Sequence, residues 1–149
     1  MTTSNENASL HNQNLSKVSP KLRFKGFNDK WQNKKIGELA DIKRGASPRP
    51  ISDPRWFDDN SSVEWLRISD ITKQNGKIYS IKQHISKLGQ EKTLVITSPH
   101  LILSIAATVG RPAINYVSTG IHDGFIVFFN PKFNINFMFN CSLDLKKFG

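Results

Sequence analysis

The chain has 149 residues and a mass of 16.9 kDa, a length that suits a single domain. Hydrophobic residues make up 38% of the sequence and charged residues 22%, which excludes a wholly disordered protein because most of the chain is able to bury a core. Twenty-one Lys and Arg residues against twelve Asp and Glu residues give a net charge of +9, which favours polyanionic partners such as nucleic acid.

Cysteine content and hydropathy exclude further classes. One cysteine, Cys141, rules out an intramolecular disulfide framework and a Cys-rich zinc site. The apolar runs at 94–97, 101–107 and 125–129 are far shorter than the roughly 20 residues that cross a bilayer. The N-terminal segment lacks the basic and apolar regions of a signal peptide, so the sequence predicts a cytoplasmic protein without a transmembrane helix.

The first part of the chain combines a polar tail with a basic segment. Residues 1–19 are rich in Asn, Ser, Thr and Gln and have too little apolar area to offset the entropy of ordering, so they are predicted to form a disordered tail. Residues 17–55 hold eleven basic and four acidic side chains, whereas residues 56–149 hold ten and seven. The basic surface is therefore predicted to lie in the first third of the chain.

The predicted elements begin after this tail. Apolar spacing over residues 36–43 predicts a short amphipathic helix, with a break into a strand at 41–44 as the alternative. Three prolines within residues 45–54 predict a loop. Alternation over residues 63–71 predicts a strand.

A turn at residues 73–76 follows, which a type I′ hairpin at Asn75-Gly76 would explain. A second alternating strand is predicted over residues 77–85. Ser86 is predicted to cap a short helix that runs through Glu91.

The second half of the sequence is strand-like. The runs LVIT, LILSIA, PAINYV and GFIVFF predict four strands, and the residues after Pro131 predict a terminal helix. The predicted fold is α/β, of the α+β type. Its twisted, mostly antiparallel or mixed sheet is flanked by short helices and is built from 63–71, 77–85, 101–106 and 124–129.

Several motifs together resemble a known family. The order R-F-x-G-F-x-x-x-W from Arg23 is followed by K-K-x-G-E-L from Lys34, G-x-S-P at 45–48 and W-L-R-I-S-D-I at 65–71. With ISKLG, LILSIAATVG and GFIVFFNP, this order resembles a target-recognition domain of the specificity subunit of type I restriction-modification systems, over roughly residues 20–140.

The resemblance implies a non-catalytic subunit that binds double-stranded DNA and no cofactor. In that family two target-recognition domains each read one half of a bipartite site, and long helices bind methyltransferase subunits. This chain resembles one such domain, at residues 20–149, and is expected to lack the spacer helix and the second domain, as a truncated subunit would. Its implied partners are DNA and the methyltransferase and restriction subunits.

The residue types that DNA binding requires occur in several places. Lys and Arg neutralise phosphates, and Arg is the usual bidentate reader of guanine. The alternative for the arginines is pairing with Asp53, Asp58 and Asp59, and that for Trp56 and Phe57 is core packing. The candidate DNA-binding residues are Lys34, Lys35, Arg44, Ser47, Arg49, Arg55, Lys73, Gln74, Asn75, Lys77 and Arg111.

Two other functions have weaker support in the sequence. Asp29 with Asp41 and Lys43 formally matches a nuclease pattern in which carboxylates hold Mg²⁺, but an exposed helix face explains Asp41 and Lys43 equally well. His122 and Asp123 lack an accompanying nucleophile motif and are expected to be loop residues. The four histidines lack metal-ligand spacing, so no metal site is predicted. A remnant that binds only sister subunits is the other alternative.

Overall fold

The computed structural model describes residues 21–144, and the tail predicted at residues 1–19 lies outside them. The chain divides into two compact units, residues 1–38 and residues 39–149. Within the first unit, Phe24 accepts a backbone hydrogen bond from Phe27, and both rings are exposed. The helices and strands lie almost entirely in the second unit, which therefore carries the core.

The order of elements is mixed. The helices are α1 (Ile36–Leu39), α2 (Ile68–Lys73), α3 (Lys87–Gln90) and α4 (Ile135–Asp144), with a 3-10 helix at Pro54–Trp56. The strands are β1 (Asp41–Arg44), β2 (Glu64–Trp65), β3 (Lys77–Ile78), β4 (Leu94–Ile96), β5 (Leu101–Ser104), β6 (Pro112–Asn115), β7 (Thr119–Ile121) and β8 (Phe125–Phe129). This architecture confirms the predicted α+β fold with short helices. None of the helices within residues 21–144 is long and apolar enough to cross a membrane.

The strands form two sheets. The larger sheet has the order β1-β8-β5-β6-β3, in which all neighbours are antiparallel except the parallel pair β3 and β6. The smaller sheet has the order β2-β7-β4, with β2 parallel and β4 antiparallel to β7. The predicted mixed sheet is thus present, but the strands are divided between two sheets.

The core follows from the burial of these strands. β6 and β7 are buried at every residue, which explains their continuous apolar or small side chains. Ile102, Ile121 and Val127 lie in the main apolar cluster with Leu66 and Phe125. Burying a single large aliphatic side chain contributes about 1.5–3 kcal/mol, so this cluster provides the main stabilisation of the second unit.

Several predicted boundaries are confirmed. The alternative of a break within 36–43 is correct, because α1 ends at Leu39 and β1 begins at Asp41. Residues 45–53 form a loop, as their prolines predict. Ser86 caps α3, and its side chain accepts a hydrogen bond from the Gly89 backbone N–H at 3.1 Å. The terminal helix is present as α4.

The strand predicted over residues 63–71 is wrong beyond Trp65. Asp70 accepts a hydrogen bond from the Arg67 backbone N–H at 2.9 Å, and this bond closes the first turn of α2. Ile68 and Ile71 then face the core at helical spacing. The bond to Asp70, three residues after Arg67, outweighs the alternation pattern here.

Two further predictions need correction. The strand expected at 77–85 is regular only at Lys77–Ile78, because Gln74 holds the following residues through its amide: it donates to Ser80 O at 2.7 Å and accepts from Tyr79 N at 2.9 Å. Strand β7 lies in the Ser-Thr-Gly stretch between the runs PAINYV and GFIVFF, where the sequence predicts no strand. It is a buried strand because Gly120 packs against the Trp65 ring, where a Cβ would lie 3.0 Å from Cε3.

Candidate nucleic-acid interface

The register of the larger sheet brings several loops to one end. β1 ends at Arg44, opposite Ile126 near the start of β8, and β5 ends at Ser104, opposite Phe125. β6 begins opposite Leu103, and β3 starts parallel to it. The loops that precede or follow these strand ends therefore lie side by side.

The smaller sheet ends at the same place. The Gly45 backbone N–H donates to Phe125 O of the larger sheet at 2.9 Å, and the Ala46 N–H donates to Ile121 O of the smaller sheet at 3.0 Å. β2 is parallel to β7, so Arg67, two residues after β2, lies at this end as well. We call this surface the loop edge and define it by residues 44–49, 67, 74–77, 105–111 and 122–124.

Only glycine fits at residue 45, where the loop after β1 begins. A Cβ on Gly45 would lie 2.2 Å from His122 O and 2.5 Å from Ile121 O, both backbone atoms. The Thr93 hydroxyl lies 2.6 Å from Ala46 O and 2.9 Å from Ile121 O, and it bridges the same two segments. Residues 44–46 are therefore fixed to the end of both sheets.

Asp123 organises the segment at residues 44–53, which we call the arginine loop. Its Oδ1 accepts a hydrogen bond from Ser47 Oγ at 2.7 Å, and its Oδ2 accepts from Arg49 Nη2 at 2.8 Å. Its backbone oxygen accepts from Arg44 Nε at 2.8 Å. One residue thus positions three of the predicted DNA-binding side chains, across 74 to 79 residues of sequence.

The electrostatics of Asp123 agree with this role. The hydrogen bond from Ser47 is the main reason why the pKa of the Asp123 carboxyl lies below its usual value, and Arg49 lowers it further. The carboxylate is therefore ionised at neutral pH. The Arg49 side chain remains 69% exposed, so its guanidinium is accessible to a ligand while Asp123 restrains it.

Arg55 lies in a different setting. It forms an ion pair with Asp53 at 2.8 Å and lies over the Trp56 ring, 5.3 Å from its centroid. This hydrogen-bonded pair lowers the pKa of Asp53. The alternative predicted for the arginines, pairing with nearby carboxylates, is correct for Arg55 and Asp53. Arg44 and Arg49 contact Asp123 instead.

Trp56 anchors the C-terminal end of the arginine loop. It is 6% exposed, and its Nε1–H donates to Pro50 O at 2.8 Å. Phe57 packs edge-on against the Trp65 ring in a small apolar cluster. The predicted core packing of Trp56 and Phe57 is therefore present, and it holds the loop at the same time.

The turn at residues 74–77 differs from the predicted hairpin. Asn75 and Gly76 have φ values of 52° and 79°, the left-handed conformation that a type I′ turn requires, and the Lys77 N–H donates to Gln74 O. The turn joins α2 to β3 and not two paired strands. Lys73, Asn75 and Lys77 are exposed, whereas the Gln74 amide is engaged with Tyr79 and Ser80.

Arg111 lies at the base of the loop that joins β5 to β6. Its backbone N–H donates to Ser104 Oγ at 2.8 Å. Its Nε is buried and has no hydrogen-bond partner among the residues that the structure describes. Arg111 is thus on the loop edge with Arg44 and Arg49.

Lys34 and Lys35 belong to the first unit, where both are exposed. The loop edge of the second unit contains the other predicted DNA-binding residues except Lys73, which directly precedes it, and Arg55, which lies in the 3-10 helix.

Arg67 and Asp123 are missing from the predicted site, each for a physical reason. The alternation over residues 63–71 predicts a strand that includes Arg67. In the structure its Nε donates to Gln83 Oε1 at 2.7 Å, and its side chain is exposed at the loop edge. Asp123 is a loop residue, as predicted, but its bonds to Ser47 and Arg49 are not evident in the sequence. The two arginines at residues 44–49, with no acidic residue among them, are the sequence signal for a carboxylate partner from elsewhere in the chain.

His122 is packed into the loop edge. Its ring lies between Trp65 and Phe125, at centroid distances of 5.8 and 4.5 Å, and its Nδ1 accepts a hydrogen bond from the Gly124 N–H at 2.9 Å. Burial is the main reason why the pKa of His122 lies below its usual value; Asp123 opposes this shift and Arg67 adds to it. The ring is therefore neutral at pH 7.

Acidification is expected to destabilise the chain through His122. The unfolded state takes up a proton near pH 6.5, above the lowered folded-state pKa, so the free energy of unfolding falls as the pH drops below about 6.5. The slope is at most about 1.4 kcal/mol per pH unit for this group. Denaturant unfolding between pH 7 and pH 5 measures the slope.

The matched variants are His122→Asn, whose amide oxygen replaces the Nδ1 acceptor without titrating, and His100→Asn. We expect the slope to decrease in His122→Asn and to persist in His100→Asn. An unchanged slope in His122→Asn would assign the pH dependence to another group.

The nuclease pattern receives no geometric support from the second unit. Asp41 is exposed and accepts a hydrogen bond from Asn130 Nδ2 at 2.8 Å. Lys43 lies over the Phe129 ring. No group of three or more His, Cys, Asp or Glu side chains within residues 21–144 is arranged to hold a metal ion.

Comparisons with known proteins agree with the resemblance found in the sequence. A family model described as "Type I restriction modification DNA specificity domain" matches residues 28–148. The fold is similar to the crystal structure of an HsdS subunit from Thermoanaerobacter tengcongensis, with a TM-score of 0.56 and 18% sequence identity. The match covers 95% of this chain and 35% of that chain, so this chain spans about a third of the solved subunit. No curated protein matches the sequence.

Proposed function

Because this chain belongs to the type I restriction modification DNA specificity domain family, we propose that its loop edge reads one half of a bipartite DNA site. The observation that carries the proposal is the sheet register, which brings the arginine loop, the 74–77 turn and the 105–111 loop to one end of the fold. Base recognition needs exposed side chains on a rigid support, and this end supplies both.

The charges on the loop edge suit the phosphate backbone. Arg44, Arg49, Arg67 and Lys77 are exposed there, and Asp123 is the acidic residue among the segments that define it. Cations that replace condensed counterions supply most of the sequence-independent affinity for DNA. The remaining specificity then depends on side chains that reach base edges.

The width of the loop edge suits a short site. Five strands with four spacings of about 4.8 Å each span about 19 Å. Base pairs rise by about 3.4 Å, so the loop edge faces about six base pairs. This is enough for one half of a bipartite site and too little for two separated halves.

The proposal includes the partners that the resemblance implies. The chain matches 35% of the solved HsdS chain, which supports a role as one recognition module of a larger specificity subunit. In this role it carries no catalytic centre and directs methyltransferase and restriction subunits to the DNA in the cytoplasm.

Selection from random-sequence DNA with the 149-residue chain tests the proposal. We expect enrichment of a short motif and binding that weakens steeply as salt increases from about 50 to 200 mM. Salt-dependent binding without a motif would mean that the chain binds DNA only through electrostatic attraction, without reading its sequence. Absence of binding would favour a remnant that contacts only sister subunits, and magnesium-dependent cleavage would favour the nuclease.

Replacement of Arg49 separates base reading from phosphate binding. Arg49→Ala is expected to weaken binding to the enriched motif by about 1–3 kcal/mol and to relax the preference at one position. Lys34→Ala, a change in the first unit, is expected to weaken binding to all sequences alike and to reduce the salt slope by about one. Repeating the selection with both variants measures the difference. An unchanged motif and affinity in Arg49→Ala would remove this residue from the reading surface.

A further inference from the structure

The loop that joins β5 to β6 has an apolar tip. Val109 is 65% exposed, and Ala106, Ala107 and Thr108 beside it are also exposed. A Cβ on Gly110 would meet no atom within 4 Å. A single exposed apolar residue is common on a protein surface, but this one forms the end of a loop beside cations.

The tip is internally braced. Ser104 is fully buried, its hydroxyl donates to Thr108 O, and it accepts from the Arg111 N–H at 2.8 Å. The Gly110 N–H donates to Ser104 O at 2.8 Å. One buried hydroxyl thus ties both sides of the loop to the end of β5.

The backbone of the tip is held in an uncommon conformation. Ala107 has a φ of 56°, in the left-handed region that costs a residue with a Cβ about 1–2 kcal/mol. A neighbouring glycine, Gly110, also has a positive φ of 81°. Backbone conformations of this kind persist where the surrounding structure imposes them, and they are common at binding sites.

The loop lies directly beside the arginine loop. The Ile105 N–H donates to Gly124 O at 2.8 Å, next to the Asp123 that restrains Arg49. Arg111 is at the base of the tip. A polyanion drawn to these arginines would meet the apolar tip at the same time.

Resting on the proposed function, we propose that Val109 contacts the C5-methyl group of a thymine in the major groove of the recognised half-site. The thymine methyl is the apolar group that base edges present in the major groove, and apolar groups such as Ala or the Thr methyl are among its usual partners. The side chains that wedge between base pairs from the minor groove are Phe, Leu, Ile, Met and Pro, a set that does not include Val. The small, rigid tip therefore suits contact with a methyl group and not unstacking.

Uracil substitution in the selected DNA motif tests the contact, because uracil lacks only the C5-methyl group of thymine. We expect uracil at one thymine position to weaken binding of the unchanged chain about fourfold, as loss of a buried methyl group predicts. Val109→Ala should weaken binding to the thymine-containing motif to a similar extent. Combined, the two changes should cost little more than either one alone.

Leu88→Ala is the matched control, since Leu88 is exposed on α3, outside the loop edge. It should bind like the unchanged chain and retain the effect of uracil. Two results would overturn the contact: uracil has no effect at any position, or the effects of Val109→Ala and uracil simply add. In either case the recognised motif would still support the proposed function. Failure to bind any DNA would overturn both.

Discussion

Asp123→Ala is expected to reduce the preference for the recognised DNA motif by about 5- to 150-fold. The change frees Ser47 and Arg49, and ordering two side chains again on binding costs about 1–3 kcal/mol in total. The loss of one negative charge acts in the opposite direction on non-specific binding. Affinity for unrelated DNA should therefore stay equal or increase while affinity for the motif falls.

Asp123→Asn distinguishes positioning from charge. The amide oxygen retains an acceptor for Ser47 and removes the ion pair with Arg49, so we expect an intermediate loss of preference. Unfolding free energies should change by less than about 1 kcal/mol in Asp123→Asn, because exposed ion pairs contribute little to stability. Titrations of motif and unrelated DNA, with unfolding curves, measure all three quantities. Parallel loss of affinity for both DNAs would show that Asp123 supports folding and not recognition.

Gly45→Ala is expected to destabilise the second unit by about 2–3 kcal/mol. The added Cβ would lie within 2.5 Å of two backbone oxygens, and these are fixed by the junction of both sheets. Overpacking of this kind typically costs 1–3 kcal/mol, and contact with backbone places this case at the upper end.

Gly37→Ala provides the control for Gly45→Ala, because a Cβ on Gly37 meets no atom within 4 Å and Ala favours the helix by up to about 1 kcal/mol. Chemical denaturation of both variants compares them. Equal stability of Gly45→Ala and the unchanged chain would mean that the junction at the loop edge can relax.

Local signals predicted much of the fold. The three prolines within residues 45–54 disfavour a helix interior and a central strand and so predict a loop, and Ser86 caps α3 through a bond to Gly89 only three residues away. The apolar runs of β5 and β8 are dense enough to be recognised as strands without their neighbours. These elements depend on residues that are close in sequence.

Other elements depend on distant partners. Strand β2 ends at Trp65, where its pairing with the distant strand β7 ends. The α2 helix begins there at a local bond from the Arg67 N–H to Asp70, a signal that the alternation over residues 63–71 masks. β7 lacks a pattern of its own and becomes a strand between β2 and β4. The division into two sheets follows from pairings that no local pattern encodes.

The candidate site was predictable in composition and not in arrangement. The basic residues of the arginine loop are visible in the sequence, but their restraint by Asp123 requires a turn 74 residues or more away. Gln74 illustrates the opposite error, because an amide that suits adenine is engaged with the backbone of Tyr79 and Ser80. Whether a polar group is available to a ligand depends on contacts made elsewhere.

The arginine loop is attached to the fold mainly through main-chain atoms. Gly45 and Ala46 donate their N–H groups to Phe125 and Ile121, and Trp56 holds the loop through Pro50 O. Ile51 packs against the apolar cluster around Trp65, but these attachments do not depend on the exposed side chains at residues 49 and 52. Mutations there can change the loop's chemistry without cost to the sheets, so new DNA preferences are accessible to evolution by single substitutions in a scaffold that stays folded.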